Sequence, residues 1–235
     1  MARSDYLQAR DQTRQYINEA GVAHHMYYGP PNDRYWAEPL KVLAVNMEPY
    51  GYEECGQVEI TPEGLIDWLR DAGNTRTRTV RYTLSVAKCL LGAHSQGPTQ
   101  TPTHIRNAYA DLTGLELVAT RIAYYNIRST SNSVKNQDFE GICSSGAGEV
   151  SRLIYREMTA LEPNIILVSG VAGLIAFNSM WRLNPPLEYK NRCRGVNSVL
   201  VQSIRHPARP NYTEYSNAIS GMLEDLKGTS QPEFD

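Results

Sequence analysis

Short apolar runs alternate with longer segments in which apolar residues recur at helical spacing. The apolar runs lie at residues 42–45, 122–125 and 165–168, and a fourth run, interrupted by polar residues, lies at 198–204. Each run has the length of a buried strand, and the segments between them are long enough to hold a helix. This alternation predicts an α/β protein, with a central, mainly parallel sheet between two layers of helices.

The helical segments carry start and stop signals in several places. Thr61 and Pro62 form a typical helix start with Gly73 as the stop, and Ser4 and Thr213 are predicted to cap the first and last helices. Helices are predicted at residues 4–21, 61–73, 76–91, 105–112, 150–161, 171–177 and 213–226.

Other segments are predicted as connections or strands. Residues 24–31 are predicted as a polar connection broken by proline, and residues 92–102 as a loop. A strand is predicted between Gly114 and Asn126. Ser169 and Gly170 are predicted to turn a buried strand into a closely packed helix, since their glycine spacing fits no nucleotide-binding fingerprint.

Composition places the chain among ordinary globular proteins. Its 235 residues are 41% hydrophobic and 20% charged. No apolar run approaches the roughly 20 residues of a membrane helix, and the first residues lack the apolar core of a signal peptide. We therefore expect a single cytoplasmic domain without membrane contact.

The net charge of the chain limits how the protein can bind a polyanion. The 23 basic and 25 acidic residues nearly cancel, so nucleic-acid binding needs a local basic face. Arg76, Arg78 and Arg81 lie in the first turns of the predicted helix 76–91 and can supply such a face. A solvated helix end is the alternative interpretation.

Cysteine and histidine spacing argues against a metal site or cofactor. The four cysteines lie far apart without a Cys-x-x-Cys pair, which favours reduced thiols over a zinc site or a disulfide framework. His24 and His25 are adjacent, so their side chains do not converge, and surface positions are expected. We predict no metal and no cofactor.

Polar residues follow three of the predicted strands. Glu48 comes shortly after the first, Asn126 ends a middle one, and His206 follows the last. In a parallel sheet these ends share one edge, where ligands commonly bind. The alternatives are a solvated Pro/Gly turn for Glu48, a turn or cap residue for Asn126, and a His-Pro turn for His206.

These segments together resemble the uracil-DNA glycosylase superfamily. Residues 46–51, Asn-Met-Glu-Pro-Tyr-Gly, are similar to its first motif, and His206-Pro207-Ala208 is similar to its second. Residues 124–126 and the strand-helix at 163–177 also match. The resemblance covers residues 40–228 of a single domain 1–235 and leaves residues 1–39 as a helical extension.

The sequence departs from the family pattern in the first motif. Glu48 stands where other branches have Asp, Asn or Ala, Asn46 replaces a glycine, and Gly51 replaces a histidine. Some branches carry an iron-sulfur cluster, but the close N-terminal cysteine pair of that branch is missing here. We therefore expect no cluster.

The resemblance implies roles for individual residues. Glu48 would orient the attacking water, and His206 would donate a hydrogen bond to the departing base. Asn46, Met47, Tyr50 and Asn126 would bind that base. Arg205 and Arg209 would join the three helix arginines in binding DNA, with Arg209 filling the gap left by a flipped base or, alternatively, remaining solvated.

These expectations define a leading hypothesis and two rivals. The leading one is a monomeric, monofunctional DNA glycosylase that removes uracil or a modified pyrimidine and leaves an abasic site. One rival is a branch retuned for a hypermodified phage base, such as glucosylated hydroxymethylcytosine, in anti-phage defence. The other is a non-catalytic nucleic-acid binder on the same fold.

Overall fold

A computed structural model describes ten segments of the chain. They are residues 2–19, 25–28, 31–46, 57–71, 75–96, 101–126, 147–181, 185–194, 199–205 and 211–227. Their helices are α1 (Ala2–Glu19), α2 (Asp33–Ala37), α3 (Pro62–Arg70), α4 (Thr75–Gln96), α5 (Pro102–Ala110), α6 (Leu112–Ala119), α7 (Ala147–Ala160), α8 (Gly170–Trp181) and α9 (Tyr212–Lys227). Their strands are β1 (His25–Tyr28), β2 (Val42–Asn46), β3 (Gln57–Ile60), β4 (Ala123–Asn126), β5 (Ile165–Ser169), β6 (Arg192–Arg194) and β7 (Leu200–Ile204).

The central sheet has five strands in the order β4-β2-β5-β7-β6. The first four are mutually parallel, and only β6 runs antiparallel to its neighbour β7. Every residue of β2, β5 and β7 is buried, as expected for parallel strands covered on both faces. The predicted mainly parallel sheet is confirmed, and the arrangement is consistent with three α/β/α layers.

The starts of β2 and β5 are tied together by a side-chain amide. The Asn164 side chain accepts from the backbone N–H of Lys41 at 2.8 Å, and the Lys41 carbonyl accepts from Ile165 N at 3.1 Å. These bonds fix the register in which Val45 pairs with Val168. The register decides which residues reach the carboxyl edge together.

Helix α1 packs along α7 on one side of the sheet. Its residues Tyr6, Ala9 and Thr13 are buried at the spacing of a helical face. The Tyr6 hydroxyl lies 3.1 Å from that of Tyr125 in β4, and Tyr125 donates to Glu157 Oε2 in α7 at 2.5 Å. We call Tyr6, Tyr125 and Glu157 the core tyrosine cluster.

A second group of helices contains α3 to α6 and α9, which pack on one another. Tyr82 of α4 stacks on Tyr109 of α5, with ring centroids 4.2 Å apart and 26° between the planes. The hydroxyls of Tyr82 and Tyr212, the first residue of α9, lie 2.9 Å apart. We call Tyr82, Tyr109 and Tyr212 the surface tyrosine cluster.

Helix caps agree with the sequence in one case and differ in two. Thr61 caps α3 as predicted, its hydroxyl accepting from Gly64 N at 3.2 Å, and α3 ends at Arg70. Helix α9 is capped by Asn211, whose Oδ1 accepts from the backbone N–H groups of Thr213 and Glu214, so the predicted Thr213 cap is wrong. Ser4 likewise lies inside α1.

A predicted loop and part of a predicted strand are helical in the structure. Helix α4 continues through the predicted loop to Gln96, because Leu91 and Ala93 extend its buried face past Gly92. The strand expected after Gly114 starts only at Ala123. Residues before it form α6, with Leu115, Val118 and Ala119 buried at helical spacing.

Three short strands were not predicted. Strands β1 and β3 form a separate two-stranded parallel sheet, so His25 belongs to a strand instead of a connection. Strand β6 has three residues and pairs with β7. No helix in the described segments combines the length and apolar character needed to cross a bilayer.

Candidate active site at the carboxyl edge of the sheet

The carboxyl ends of β4, β2, β5 and β7 lie at one edge of the central sheet. Asn46 and Asn126 are register partners at the ends of β2 and β4. Strand β5 separates β2 from β7, so at about 4.8 Å per strand the ends of β2 and β7 lie roughly 10 Å apart. The predicted sharing of one edge by these strands is confirmed.

Both proposed catalytic residues fall outside the described residues. Glu48 follows Asn46 by two positions, and His206 comes directly after Arg205. Met47, Tyr50 and Arg209 also lie outside the described residues, as do the side chains of Arg76 and Asn126. The roles assigned to these seven residues stay predictions.

Asn46 is a buried polar residue at the end of β2. Its side chain is 4% exposed, and neither amide atom makes a hydrogen bond of good geometry among the described residues. The amide lies close to the Tyr124 phenol: burial raises the pKa of Tyr124, and Asn46 partly offsets that rise. Because an unmade buried hydrogen bond costs about 1 to 3 kcal/mol, such an amide is suited to a polar partner at the edge.

Ser169 is a second buried polar residue at this edge. It ends β5, is 1% exposed, and its hydroxyl has no hydrogen-bond partner among the described residues. The pairing of Val45 with Val168 immediately precedes Asn46 and Ser169, so these two residues end neighbouring strands. The edge therefore holds a buried amide close to the Tyr124 phenol and a buried hydroxyl without a hydrogen-bond partner among the described residues.

Ser169 was not among the predicted site residues. Its sequence signal is a polar residue closing the buried run at 165–168, which was interpreted only as a turn. Gly170 follows with a φ of 75°, a left-handed conformation that favours glycine. The chain thus leaves the sheet directly after Ser169 and enters α8.

Arg205 at the end of β7 is held from two sides. Its Nη1 lies 3.4 Å from Glu214 Oε1, and its carbonyl accepts from the Tyr215 hydroxyl at 3.1 Å. Lys190 shares the same glutamate oxygen at 3.0 Å. Arg205 is therefore half-buried and paired, and a DNA contact would compete with Glu214.

The two described arginines of the predicted basic face differ in their surroundings. Arg78 is exposed, with its guanidinium carbon 5.9 Å from the Tyr82 ring centroid. Arg81 is half-buried, donates from Nη2 to the Leu69 carbonyl at 3.2 Å and lies 5.8 Å from the Tyr109 centroid. Arg78 keeps its charge available, whereas Arg81 connects α4 to the end of α3.

The contacts of Tyr212 connect the part of α4 that carries Arg78 and Arg81 with the helix that follows the carboxyl edge. The Tyr82–Tyr212 hydrogen bond places the first part of α4 against the first turn of α9. Helix α9 begins a few residues after Arg205 ends the β7 segment. The loop between Arg205 and this helix lies outside the described residues, so the proximity of Arg78 and Arg81 to that loop stays a prediction.

Comparison of the sequence with models of protein families and with curated proteins finds no match.

Proposed function

We propose that this protein is a DNA glycosylase that hydrolyses the N-glycosidic bond of uracil or a modified pyrimidine, on a fold of the uracil-DNA glycosylase kind. The observation that carries the proposal is the pair of buried polar side chains, Asn46 and Ser169, at the carboxyl edge, neither of which makes a hydrogen bond of good geometry among the described residues. Asn46 ends the strand that leads to Glu48, and Ser169 ends β5, which lies between that strand and the one that leads to His206. A base carries hydrogen-bonding groups along its edge, and such groups match an amide and a hydroxyl of this kind.

The reaction has two electrostatic needs. Negative charge develops on the departing base, and a hydrogen bond from His206 would stabilise it. Positive charge develops on the sugar, and the Glu48 carboxylate would offset that charge while orienting the attacking water. The separation of roughly 10 Å between the ends of β2 and β7 leaves room for a nucleotide between these groups.

The remaining predicted residues take supporting roles. Asn126 would read the pyrimidine edge, because an amide both donates and accepts, and Tyr50 would stack on the extruded base with Met47 beside it. Arg209 would enter the stack that the flipped base leaves. We propose DNA as the partner of a cytoplasmic monomer that uses no cofactor.

The experiment that tests the proposal is incubation with labelled oligonucleotides followed by alkaline cleavage. The strands carry uracil, hydroxymethylcytosine or glucosylated hydroxymethylcytosine. We expect cleavage at one modified position and none in the unmodified strand. Preference for the glucosylated base would identify the defence branch, whereas DNA binding with every strand intact would identify a non-catalytic binder and reject the proposal.

The role of Glu48 is tested by Glu48→Gln. We expect single-turnover excision to fall about a hundredfold or more while DNA affinity stays nearly unchanged, because the carboxylate acts in the chemical step. Glu63→Gln, at an exposed glutamate of α3, is the matched control and should be fully active. An unchanged rate in Glu48→Gln removes this residue from the mechanism.

The role of His206 is tested by His206→Ala. Loss of a hydrogen bond that strengthens with developing charge should cost about 3 to 4 kcal/mol of transition-state stabilisation. Thermal melting is measured in parallel. A lower melting temperature with full activity in the folded fraction would show a structural histidine instead.

A further inference from the structure

Two exposed arginines contact tyrosine rings instead of acidic side chains. The arginines that form ion pairs within the described segments are Arg3, Arg10, Arg14, Arg70, Arg121, Arg152, Arg192 and Arg205. Arg78 on α4 and Arg106 on α5 are exposed, and neither has an ion-pair partner among the described residues. Their charges are therefore not neutralised locally.

Both guanidiniums lie over rings of the surface tyrosine cluster. Arg106 is 5.3 Å from the Tyr212 centroid, and Arg78 is 5.9 Å from that of Tyr82. These contacts order the guanidiniums and leave their charges available; Arg78 uses one donor on the Tyr82 hydroxyl and keeps its remaining N–H groups for a ligand. Ordering before binding reduces the entropy lost when an anion is bound.

The rings that carry the two arginines form one connected unit. Tyr82 contacts Tyr212 through a hydroxyl pair 2.9 Å apart, with the ring centroids 5.9 Å apart, and it stacks on Tyr109. Helices α4, α5 and α9 thus meet at this cluster. The contacts from Arg78 to Tyr82, from Tyr82 to Tyr212 and from Tyr212 to Arg106 keep the two guanidiniums within the span of a few phosphates of one strand.

This surface adjoins the candidate site through α9. Tyr212 is the first residue of that helix, and the Tyr215 hydroxyl donates to the carbonyl of Arg205 at the end of β7. A strand passing over Arg78 and Arg106 therefore runs towards the carboxyl edge. In a chain of net charge −2, such a local pair of available cations is a distinct electrostatic feature.

We propose that Arg78 and Arg106 bind backbone phosphates of the DNA strand that enters the candidate site, with the surface tyrosine cluster as their rigid support. The inference rests on the proposed function for the identity of the polyanion. Guanidinium forks match phosphate oxygens, and the contact of α9 with the end of β7 favours a nucleic-acid backbone over an acidic peptide. Contacts of this kind fix the position of the strand without reading its sequence.

The test is DNA affinity measured by fluorescence anisotropy over a series of salt concentrations. The proteins are wild type, Arg78→Gln, Arg106→Gln and the double variant, with a uracil-containing duplex and its unmodified counterpart as probes. Each single variant should lower the salt slope by about one and weaken binding roughly five- to tenfold near 0.1 M salt, equally for both probes. The double variant should lower the slope by about two.

Two further variants control the measurement. Arg34→Gln removes an exposed arginine of α2 that also has no ion-pair partner among the described residues, and it should match wild type. Arg106→Lys keeps the charge but loses the planar fork, so its slope should stay near that of wild type while its affinity falls. Thermal melting confirms that all variants are folded.

The outcomes separate this inference from the proposed function. Any one of three results would overturn the phosphate surface. The wild type could fail to bind DNA, or the salt slope could be unchanged in the double variant. Polyglutamate could also displace the DNA as readily as unlabelled DNA does. Wild type that excises a base while the double variant keeps its slope would leave the glycosylase proposal standing alone. Arginine-dependent slopes without excision would leave only the phosphate surface.

Discussion

The core tyrosine cluster and the surface tyrosine cluster use the same side chain in two different ways. In the first, Tyr6 and Tyr125 are buried and their hydroxyls form a chain that ends on Glu157, which is 5% exposed. In the second, the tyrosine rings stack at the boundary of three helices and carry arginines on their faces. In the core cluster the tyrosines act mainly through hydrogen bonds of their hydroxyls, and in the surface cluster they act mainly through contacts of their rings with arginines.

Burial explains this difference. Inside the protein a phenol must find a hydrogen-bond partner, and a carboxyl group that keeps its proton can be accommodated with it. Burial raises the pKa of Glu157, and burial together with Glu157 raises the pKa of Tyr125. In the second cluster Tyr109 and Tyr212 are half-buried, so water can reach their hydroxyls, whereas Tyr82 is buried and its hydroxyl is paired with that of Tyr212. The rings of Tyr82 and Tyr212 each order a cation. The core cluster should therefore control stability, and the surface cluster should control binding.

The largest expected effect is on stability, from truncation of a tyrosine in the core cluster. Tyr6→Ala should lower the free energy of unfolding by about 3 to 5 kcal/mol, because it leaves a cavity between α1 and the sheet. Tyr109→Ala, in the half-buried surface cluster, should cost about 1 kcal/mol. Urea denaturation of both variants measures the difference. Equal losses in the free energy of unfolding would show that the two clusters contribute equally to stability.

A smaller effect is expected from removing single hydroxyls. Tyr125→Phe removes the hydrogen bonds that this hydroxyl makes with Glu157 and Tyr6 in the core and should cost about 1 to 3 kcal/mol. Tyr212→Phe breaks the bond to Tyr82 where water can replace it, so its cost should stay below about 1 kcal/mol. The comparison fails if Tyr212→Phe is the more destabilising of the two in chemical denaturation.

The smallest expected effect is a dependence on pH that belongs to the core cluster alone. Since the pKa of Glu157 is raised in the folded protein, the folded state keeps a proton that the unfolded chain has lost. Stability should therefore fall as pH rises from the ordinary glutamate value of about 4.3 through the raised pKa, by at most about 1.4 kcal/mol per pH unit.

Glu157→Gln removes this titration. The variant should gain stability relative to wild type as pH rises across that window, which denaturation midpoints from pH 4 to 8 would show. Glu63→Gln, at an exposed position, is the control and should follow wild type. A Glu157→Gln difference that stays constant with pH would mean that Glu157 titrates normally.

Most of the central sheet could be predicted from the chain, because a run such as residues 165–168 is apolar throughout and has the length of a strand. Helix α6 could not be predicted, since the apolar residues around Leu115 and Val118 fit both the period of a helix and the period of a strand. The choice is made by the Asp111 side chain, whose Oδ1 accepts from Gly114 N at 3.0 Å, and by packing of the buried face. The cap is local, three residues before Gly114, but the packing of the buried face depends on neighbours distant in sequence.

The residues of the candidate site likewise fall into those that the sequence predicted and those that it did not. The strand ends at Asn46 and Asn126 were predicted from where apolar runs stop, and their pairing follows from the parallel sheet. Ser169 was missed because a serine before a glycine also suits an ordinary turn, and only the register with β2 shows that it is buried beside Asn46. Arg106 was missed because its contact with Tyr212 joins segments far apart in the chain.

Strand β6 has a consequence for how copies of this protein behave in concentrated solution. Without it, β7 would be the outermost strand and would present an open row of backbone groups to any neighbouring molecule. The three residues of β6 cover that row, and its exposed Arg192 and Arg194 are held against Asp225 of α9. A short strand flanked by charge is a poor template for adding another chain, so this edge should resist aggregation by strand addition.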